Sequence, residues 1–236
     1  MLQQITLVLG TGNRKKGLEI AELFAPLGLE IKTLADFPES LEVIEDGGSF
    51  GENAYKKACE QAVFLNTYSK PVGKHDADQA ATNGSGNVPD QFASKNKMAV
   101  LAEDSGLVVD ALNGAPGIFS ARFSGVNATD ESNNALLLER LANVPWERRT
   151  AHYVCEMVLA DAEGRILACT SGTCCGRIRF EPDGTNGFGY DPLFEVLEYH
   201  QTFGRLAPVV KQAISHRSRA ARKMRVILKT LLTSNF

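Results

Sequence analysis

Two carboxylates stand side by side at Glu103-Asp104, after the apolar run Ala99-Val100-Leu101-Ala102 and before Ser105-Gly106. Such a run is a buried-strand signature, and α/β proteins present reactive groups at the rim of the sheet where strands of this kind end. Neighbouring strand residues point to opposite faces, so the two carboxylates need not share a role. Asp104, read as held at a tight Asp-Ser-Gly turn, is a hard oxygen ligand of the kind that suits Mg²⁺, which takes one or two carboxylates together with water and phosphate oxygens. A plain turn with a local hydrogen bond satisfies the same residues. Glu45, in an acidic loop with Glu39, Glu42 and Asp46, and Glu52 are further carboxylates. Glu52 also completes a Ser49-x-x-Glu52 capping box, and Lys57, one turn later, is either a phosphate contact or a solvated lysine.

Thr11-Gly12-Asn13-Arg14-Lys15-Lys16 sets a glycine turn directly before a helical pattern. Free N–H groups and the dipole at a helix start attract an anion. The P-loop spacing is absent. Three cations in a first turn oppose the positive end of the helix dipole, a conflict that a bound polyanion relieves. The conflict recurs at Ser215-His216-Arg217-Ser218-Arg219, with Lys211 upstream. Two basic helix starts in a chain of net charge -3 point to one anionic ligand approached from two sides, although a solvated basic face and a packed histidine fit the same residues. Gly187-Phe188-Gly189-Tyr190-Asp191-Pro192 is either a stacking surface for a base or an aromatic-anchored turn. His75, His152 and His200 have no partners at ligand spacing.

These residues need a scaffold, and its periodicities are readable. The run at 5–9 is a strand that breaks at Gly10 into a helix through Leu18, Ala21 and Phe24, and 30–34 is a second strand. A helix from Ser49 carries Ala54, Ala58, Ala62 and Leu65 at helical spacing. Residues 67–97 hold few large apolar side chains and read as a flexible surface insertion. A helix from Thr129 ends near Val144-Pro145, 151–160 and 165–173 form a hairpin, and a last helix runs from about Ser218. The expectation is an α/β fold with a mixed central β-sheet flanked by helices.

The chain has 236 residues, 44% of them hydrophobic and 22% charged, enough for one large domain or two intimately joined lobes. Its negative net charge argues against polymeric nucleic acid, whose binding neutralises many phosphates at once. No apolar run approaches membrane-spanning length. Five cysteines, odd in number and without C-x-x-C spacing, read as free thiols of a reducing cytosol rather than disulfides or a zinc site.

Six segments then acquire a joint meaning: Thr11-Gly12-Asn13-x-x-Lys16, Phe50-Gly51-Glu52-Asn53-Ala54, Ala102-Glu103-Asp104-Ser105-Gly106-Leu107, Gly114-Ala115-Pro116-Gly117-Ile118-Phe119-Ser120-Ala121-Arg122, Gly187 to Pro192, and Ile214-Ser215-His216-Arg217. In this order they resemble the inosine-triphosphate pyrophosphatase family, the non-canonical purine NTP pyrophosphatases, nearly end to end. The resemblance implies a two-lobed fold with the active site in the cleft between lobes, one catalytic domain over 1–236, a cytoplasmic homodimer, and Mg²⁺-dependent conversion of ITP, dITP and XTP to monophosphate and pyrophosphate. It implies that Thr11, Gly12, Asn13, Arg14, Lys15 and Lys16 hold the triphosphate together with Lys57. Asp104 is then similar to the family's general base and metal ligand, Glu45 to a second metal ligand and Ser105 to a substrate contact. Phe188, Gly189, Tyr190, Asp191, Lys211, His216 and Arg217 match the positions that enclose the purine. Two departures stand out: the insertion is longer than the usual connection, and Val210 replaces an acidic residue before Lys211. A nucleotide-binding sensor without catalysis, and a Maf-type pyrophosphatase acting on other modified nucleotides, are the alternative readings.

Overall fold

The computed structural model describes residues 5–68 and 97–233. Its strands are β1 (Ile5–Leu9), β2 (Glu30–Thr33), β3 (Lys97–Val109), β4 (Thr150–Asp161), β5 (Ile166–Ile178), β6 (Phe194–Val196) and β7 (Gln201–Thr202). They form one seven-stranded sheet in the order β2-β1-β3-β4-β5-β6-β7. β1 pairs parallel with both β2 and β3, and every later pairing is antiparallel. The parallel pairs require crossovers, supplied by α1 (Arg14–Phe24) between β1 and β2 and by α2 (Phe50–Tyr68) between β2 and β3. The helices α3 (Asp130–Arg140), α4 (Pro208–Ile214) and α5 (His216–Thr233) complete the mixed α/β fold expected from the periodicities. The proposed insertion at 67–97 falls outside the described residues except at its ends, where Thr67 and Tyr68 complete α2 and Lys97 opens β3.

The core follows the alternation of the strands. Leu7, Leu9, Leu101 and Met157 point to one face and pack with Ile20 and Phe24 of α1 and Ala220 and Met224 of α5. Val8, Val100, Ala102 and Val158 point to the other, against Ala54, Ala58, Ala62 and Leu65 of α2. A third cluster lies farther along β3 and β4, where Leu107, Val109 and Tyr153 meet Leu137 and Leu141 of α3 and the rings of Phe194 and Phe203. Burying side chains such as Leu65 or Phe24, both 0% exposed, stabilises by about 1.5–3 kcal/mol each. Residues 103–106 of β3 fall between the clusters. There β1 has already left β3, because their register covers only 97–101. A cleft forms along that edge, between two lobes of the core. Among the described residues, no helix is long and apolar enough to cross a membrane.

Three local expectations need correction. Asp104-Ser105-Gly106 is not a turn: β3 continues through it to Val109, with Asp104 opposite Glu156 and Gly106 opposite Val154. The glycine answers to a close approach instead, since a Cβ at Gly106 would lie 2.4 Å from Ser120 Oγ and 2.6 Å from the Gly117 carbonyl oxygen. The capping box is half formed. Ser49 Oγ accepts the Glu52 N–H at 3.2 Å, but the Glu52 carboxylate accepts from the Gly48 N–H at 2.7 Å. The last helix starts at His216 rather than Ser218, after a short α4 with Pro208 in its first turn that periodicity did not reveal.

Candidate active site

At the start of α1 the chain folds back on itself before it becomes helical. The Gly10 N–H donates to the Leu101 carbonyl at 2.8 Å, and a Cβ at Gly10 would meet Val100 Cγ1 and Ala102 Cβ at 3.2 Å, so this glycine seats the turn against β3. Thr11 Oγ1 accepts the Asn13 N–H, and Asn13 is the N-cap, its Oδ1 accepting the Lys16 N–H at 3.1 Å. Gly12 has open space where a side chain would stand. Lys16 is the cation this helix start sends inward. Arg14 is exposed and outside the cleft lining, and Lys15 is exposed, 3.4 Å from Asp130.

A cleft gathers Asn13, Lys16, Ser105, Phe188, Gly189, Tyr190, Asp191, Lys211, His216 and Arg217, residues that four distant segments contribute. Its charges are tightly paired. Glu103, fully buried, holds Lys16 Nζ at 3.1 Å and Arg217 Nη2 at 3.5 Å. Glu19 takes Arg217 Nη1 at 2.6 Å and Lys211 Nζ at 3.2 Å, and Lys211 also contacts Asp191. Arg217 Nη2 further donates to Ser105 Oγ at 2.9 Å. The two basic helix starts are therefore neutralised in large part within the protein. Burial alone would push the Glu103 carboxyl up; Arg217, Lys16 and Lys57 outweigh it and hold the group well below the usual carboxylate range. Burial, reinforced by Arg217, pushes His216 well below its usual value, so the ring is neutral; it stacks on Tyr153 with centroids 4.6 Å apart and planes 9° from parallel.

The two aromatics of the glycine-rich loop divide the alternatives between them. Tyr190 is buried and its hydroxyl donates to the Ser120 carbonyl at 2.8 Å, which makes it the anchor of the turn. Phe188 faces the cleft, with Lys211 Nζ 4.6 Å and the Arg217 guanidinium 5.9 Å from its ring centroid. Gly187 must be glycine: its φ is 79°, and a Cβ would lie 2.0 Å from Asp191 Oδ2. That carboxylate accepts the Phe188 N–H at 2.8 Å and fixes the ring's backbone.

Asp104 points to the opposite face of β3, toward α2. Lys57 Nζ lies 3.3 Å from Asp104 Oδ1 and 3.3 Å from Glu45 Oε1, so the two carboxylates meet on one ammonium. Asn53 Nδ2 donates to Asp104 Oδ2 at 3.1 Å. Burial raises the Asp104 carboxyl, and Lys57 and Lys16 offset this only in part. Among the described residues no three His, Cys, Asp or Glu groups converge as a ready metal cage. The donor set is instead two hard carboxylates sharing a single positive charge. That fits a divalent cation which completes its shell with water and phosphate oxygens. Glu52, bonded to Gly48, stands apart from this pair.

Several residues of the site escaped the reading by type and spacing. Glu19 pairs with Lys211 and Arg217, far along the chain, and local spacing carries no signal of that role. Asn53 belongs to the Phe50-Gly51-Glu52-Asn53-Ala54 segment, whose spacing assigns it no role, and the Tyr153 contact has no local signal. The free cysteines agree with expectation, and Cys155 donates its buried thiol to Glu103 Oε2 at 3.3 Å.

A mixed sheet whose central strand turns one face to an aromatic cleft with internally paired charges and the other to a carboxylate pair defines the class of α/β protein to which this chain belongs. The chain belongs to the Ham1 family, whose sequence model matches residues 7–227. It is 42% identical over 235 residues to a dITP/XTP pyrophosphatase of Rhodopirellula baltica, covering 100% of this chain and 98% of the relative. It is 43% identical over 214 residues to a dITP/XTP pyrophosphatase of Geobacter sulfurreducens, covering 91% and 92%. A solved HAM1 protein from Coxiella burnetii superposes with a TM-score of 0.76 at 32% identity, over 96% of this chain and 100% of that one. The Staphylococcus aureus Ham1 protein gives a TM-score of 0.74 at 30% identity, over 95% and 98%.

Proposed function

We propose that this protein is a nucleoside-triphosphate pyrophosphohydrolase that converts ITP, dITP and XTP to the monophosphate and pyrophosphate, keeping deaminated purines out of nucleic acid. One observation carries the reading: β3 directs Ser105 to the aromatic cleft, Glu103 to the Lys16 and Arg217 that line it, and Asp104 to Lys57 and Glu45, at the stretch where β1 leaves its edge. A nucleotide with its base beside Phe188 and its first phosphates at Asn13 and Lys16 lies in one cleft, and its phosphate chain reaches past the exposed edge of β3 toward Asp104. The relatives described as dITP/XTP pyrophosphatases support the same substrates.

In this mechanism Asp104 accepts a proton from the water that attacks the α-phosphorus, and its carboxyl, raised by burial, suits that task. Lys16 and Lys57 take up charge on the departing pyrophosphate, assisted by Asn13, the turn at Thr11-Gly12, and the outer cations Arg14 and Lys15. Asp104 and Glu45 would hold Mg²⁺, which when bound would neutralise phosphate charge. Most of the protein's work is positioning and electrostatics. Arg217 only donates hydrogen bonds, so it favours a purine with a 6-oxo acceptor over adenine, which presents an amino donor there. The neutral His216, Ser105, Lys211 and the loop of Phe188, Gly189, Tyr190 and Asp191 complete the enclosure of the base.

We read the chain as one catalytic domain, a reading supported by the span of the family match. The free thiols and the nucleotide substrate support a cytoplasmic setting, the family resemblance supports a homodimer, and the net charge of -3 argues against a polymeric nucleic acid partner. The test is product analysis with ITP, XTP, GTP, ATP and pyrimidine triphosphates in Mg²⁺. ITP and XTP are expected to yield monophosphate and pyrophosphate in preference to ATP and GTP. Orthophosphate as the primary product overturns the reading, binding without turnover makes the protein a sensor, and preference for pyrimidine nucleotides makes it Maf-like.

A further inference from the structure

We propose that Asn53 is a positioning residue that locks the loop carrying Glu45 to Asp104, so that the two carboxylates are presented to a divalent cation as one unit. Asn53 is completely buried on α2 and lies outside the lining of the base cleft. Its two ends face partners of opposite kind: Nδ2 donates to Asp104 Oδ2 at 3.1 Å, and Oδ1 accepts the Gly47 N–H at 2.8 Å. A backbone N–H only donates and a carboxylate only accepts, so the amide has one satisfactory orientation, and a primary amide is the group that serves both ends.

The loop comes very close to make this bond. A Cβ at Gly47 would lie 2.7 Å from Asn53 Oδ1 and 2.9 Å from Glu52 Cβ, while nothing in its backbone conformation demands glycine. Gly47 is two residues from Glu45, whose carbonyl is held from the other side by Arg122 Nη2 at 3.1 Å. The two carboxylates differ in their need for such a tether: the Asp104 side chain is 7% exposed and the Glu45 side chain 35%. A half-exposed glutamate on a loop stays beside a buried aspartate when its backbone is fastened to the same amide. Groups that orient a metal's ligands are worth about 10–100-fold in metal affinity or activity.

This inference rests on the reading of Asp104 and Glu45 as the cation-holding pair, and its test separates the two. Mn²⁺ is titrated into nucleotide-free wild type, Asp104→Ala, Asn53→Leu and Gly47→Ala, with free Mn²⁺ followed by electron paramagnetic resonance; kcat and KM for ITP are measured alongside. Asn53→Leu keeps the shape and loses both bonds. Gly47→Ala pushes the loop off Asn53 at a partly exposed position and leaves the amide facing Asp104. Both are expected to weaken Mn²⁺ binding about tenfold or more and to lower kcat by a similar factor, with KM for ITP within about twofold. Excess metal should restore part of the rate in Gly47→Ala. If Asn53→Leu fails to fold, Gly47→Ala alone decides. Wild-type Mn²⁺ affinity in Gly47→Ala, whatever happens to its melting temperature, overturns the positioning role. Absence of Mn²⁺ binding by wild type, or binding unchanged by Asp104→Ala, overturns the carboxylate-pair reading itself.

Discussion

The two faces of β3 carry adjacent carboxylates with opposite fates. On the side of α1 and α5, Glu103, Glu19 and Asp191 meet Lys16, Lys211 and Arg217 in a network where positive and negative groups match. On the side of α2, Asp104 and Glu45 share the single ammonium of Lys57. Glu103 and Asp104 are both buried, so desolvation raises each; Arg217, Lys16 and Lys57 together outweigh it at Glu103, whereas the cations beside Asp104, like Lys211 beside Asp191, do not. Glu103 stays ionised well below the usual range, whereas Asp104 is raised. The face of Glu103 is thus charge-balanced, and the face of Asp104 and Glu45 is one positive charge short; under the proposed function the second is the face that takes a divalent cation.

Breaking the charge-deficient face should have the largest effect. Asp104→Asn is expected to lower kcat about 10³-fold while the protein still melts cooperatively, in keeping with loss of a general base; steady-state kinetics and a thermal melt check both parts. Breaking the balanced face should act on stability instead. Glu103→Gln leaves Lys16 and Arg217 short of a counter-charge in the interior and should cost about 3 kcal/mol in denaturant unfolding. An unchanged midpoint would show that the network is not what holds α1 and α5 together. Phe188→Ala removes the ring at the cleft and should raise KM for ITP about tenfold with kcat nearly constant, the size expected for a lost stacking surface.

The smallest effect concerns pH. His216 has its folded-state pKa pushed well below the ordinary value of 6.5, so below about pH 6.5 the unfolded chain binds a proton that the native protein refuses. Stability should fall as pH drops through that window, and His216→Gln should flatten the slope there. Equal slopes for the two proteins, measured by urea unfolding across pH 5 to about 7.5, would mean the ring is not held neutral.

Much of the scaffold was legible in the chain because it is written in short-range periodicity. The strand-turn-helix at 5–24, the alanine face of α2 and the β4–β5 hairpin all repeat apolar residues at the spacing of their own element. The length of β3 was not legible: Asp104-Ser105-Gly106 has turn composition, and its extended form depends on β4 lying alongside and on Ser120 approaching Gly106. The short strands β6 and β7 and the helix α4 exist through neighbours rather than through their own propensity.

The sequence alone determined which groups could bind phosphate, stack on a base or hold a hard cation, and the alternation of a strand already separated Glu103 from Asp104. Only the tertiary structure decided which charges answer which. Arg217 is neutralised by Glu19, 198 positions away, and Lys57 by Glu45 and Asp104 together. Coulomb energy depends on distance through space and on the solvent that burial removes, and neither is a property of spacing along the chain.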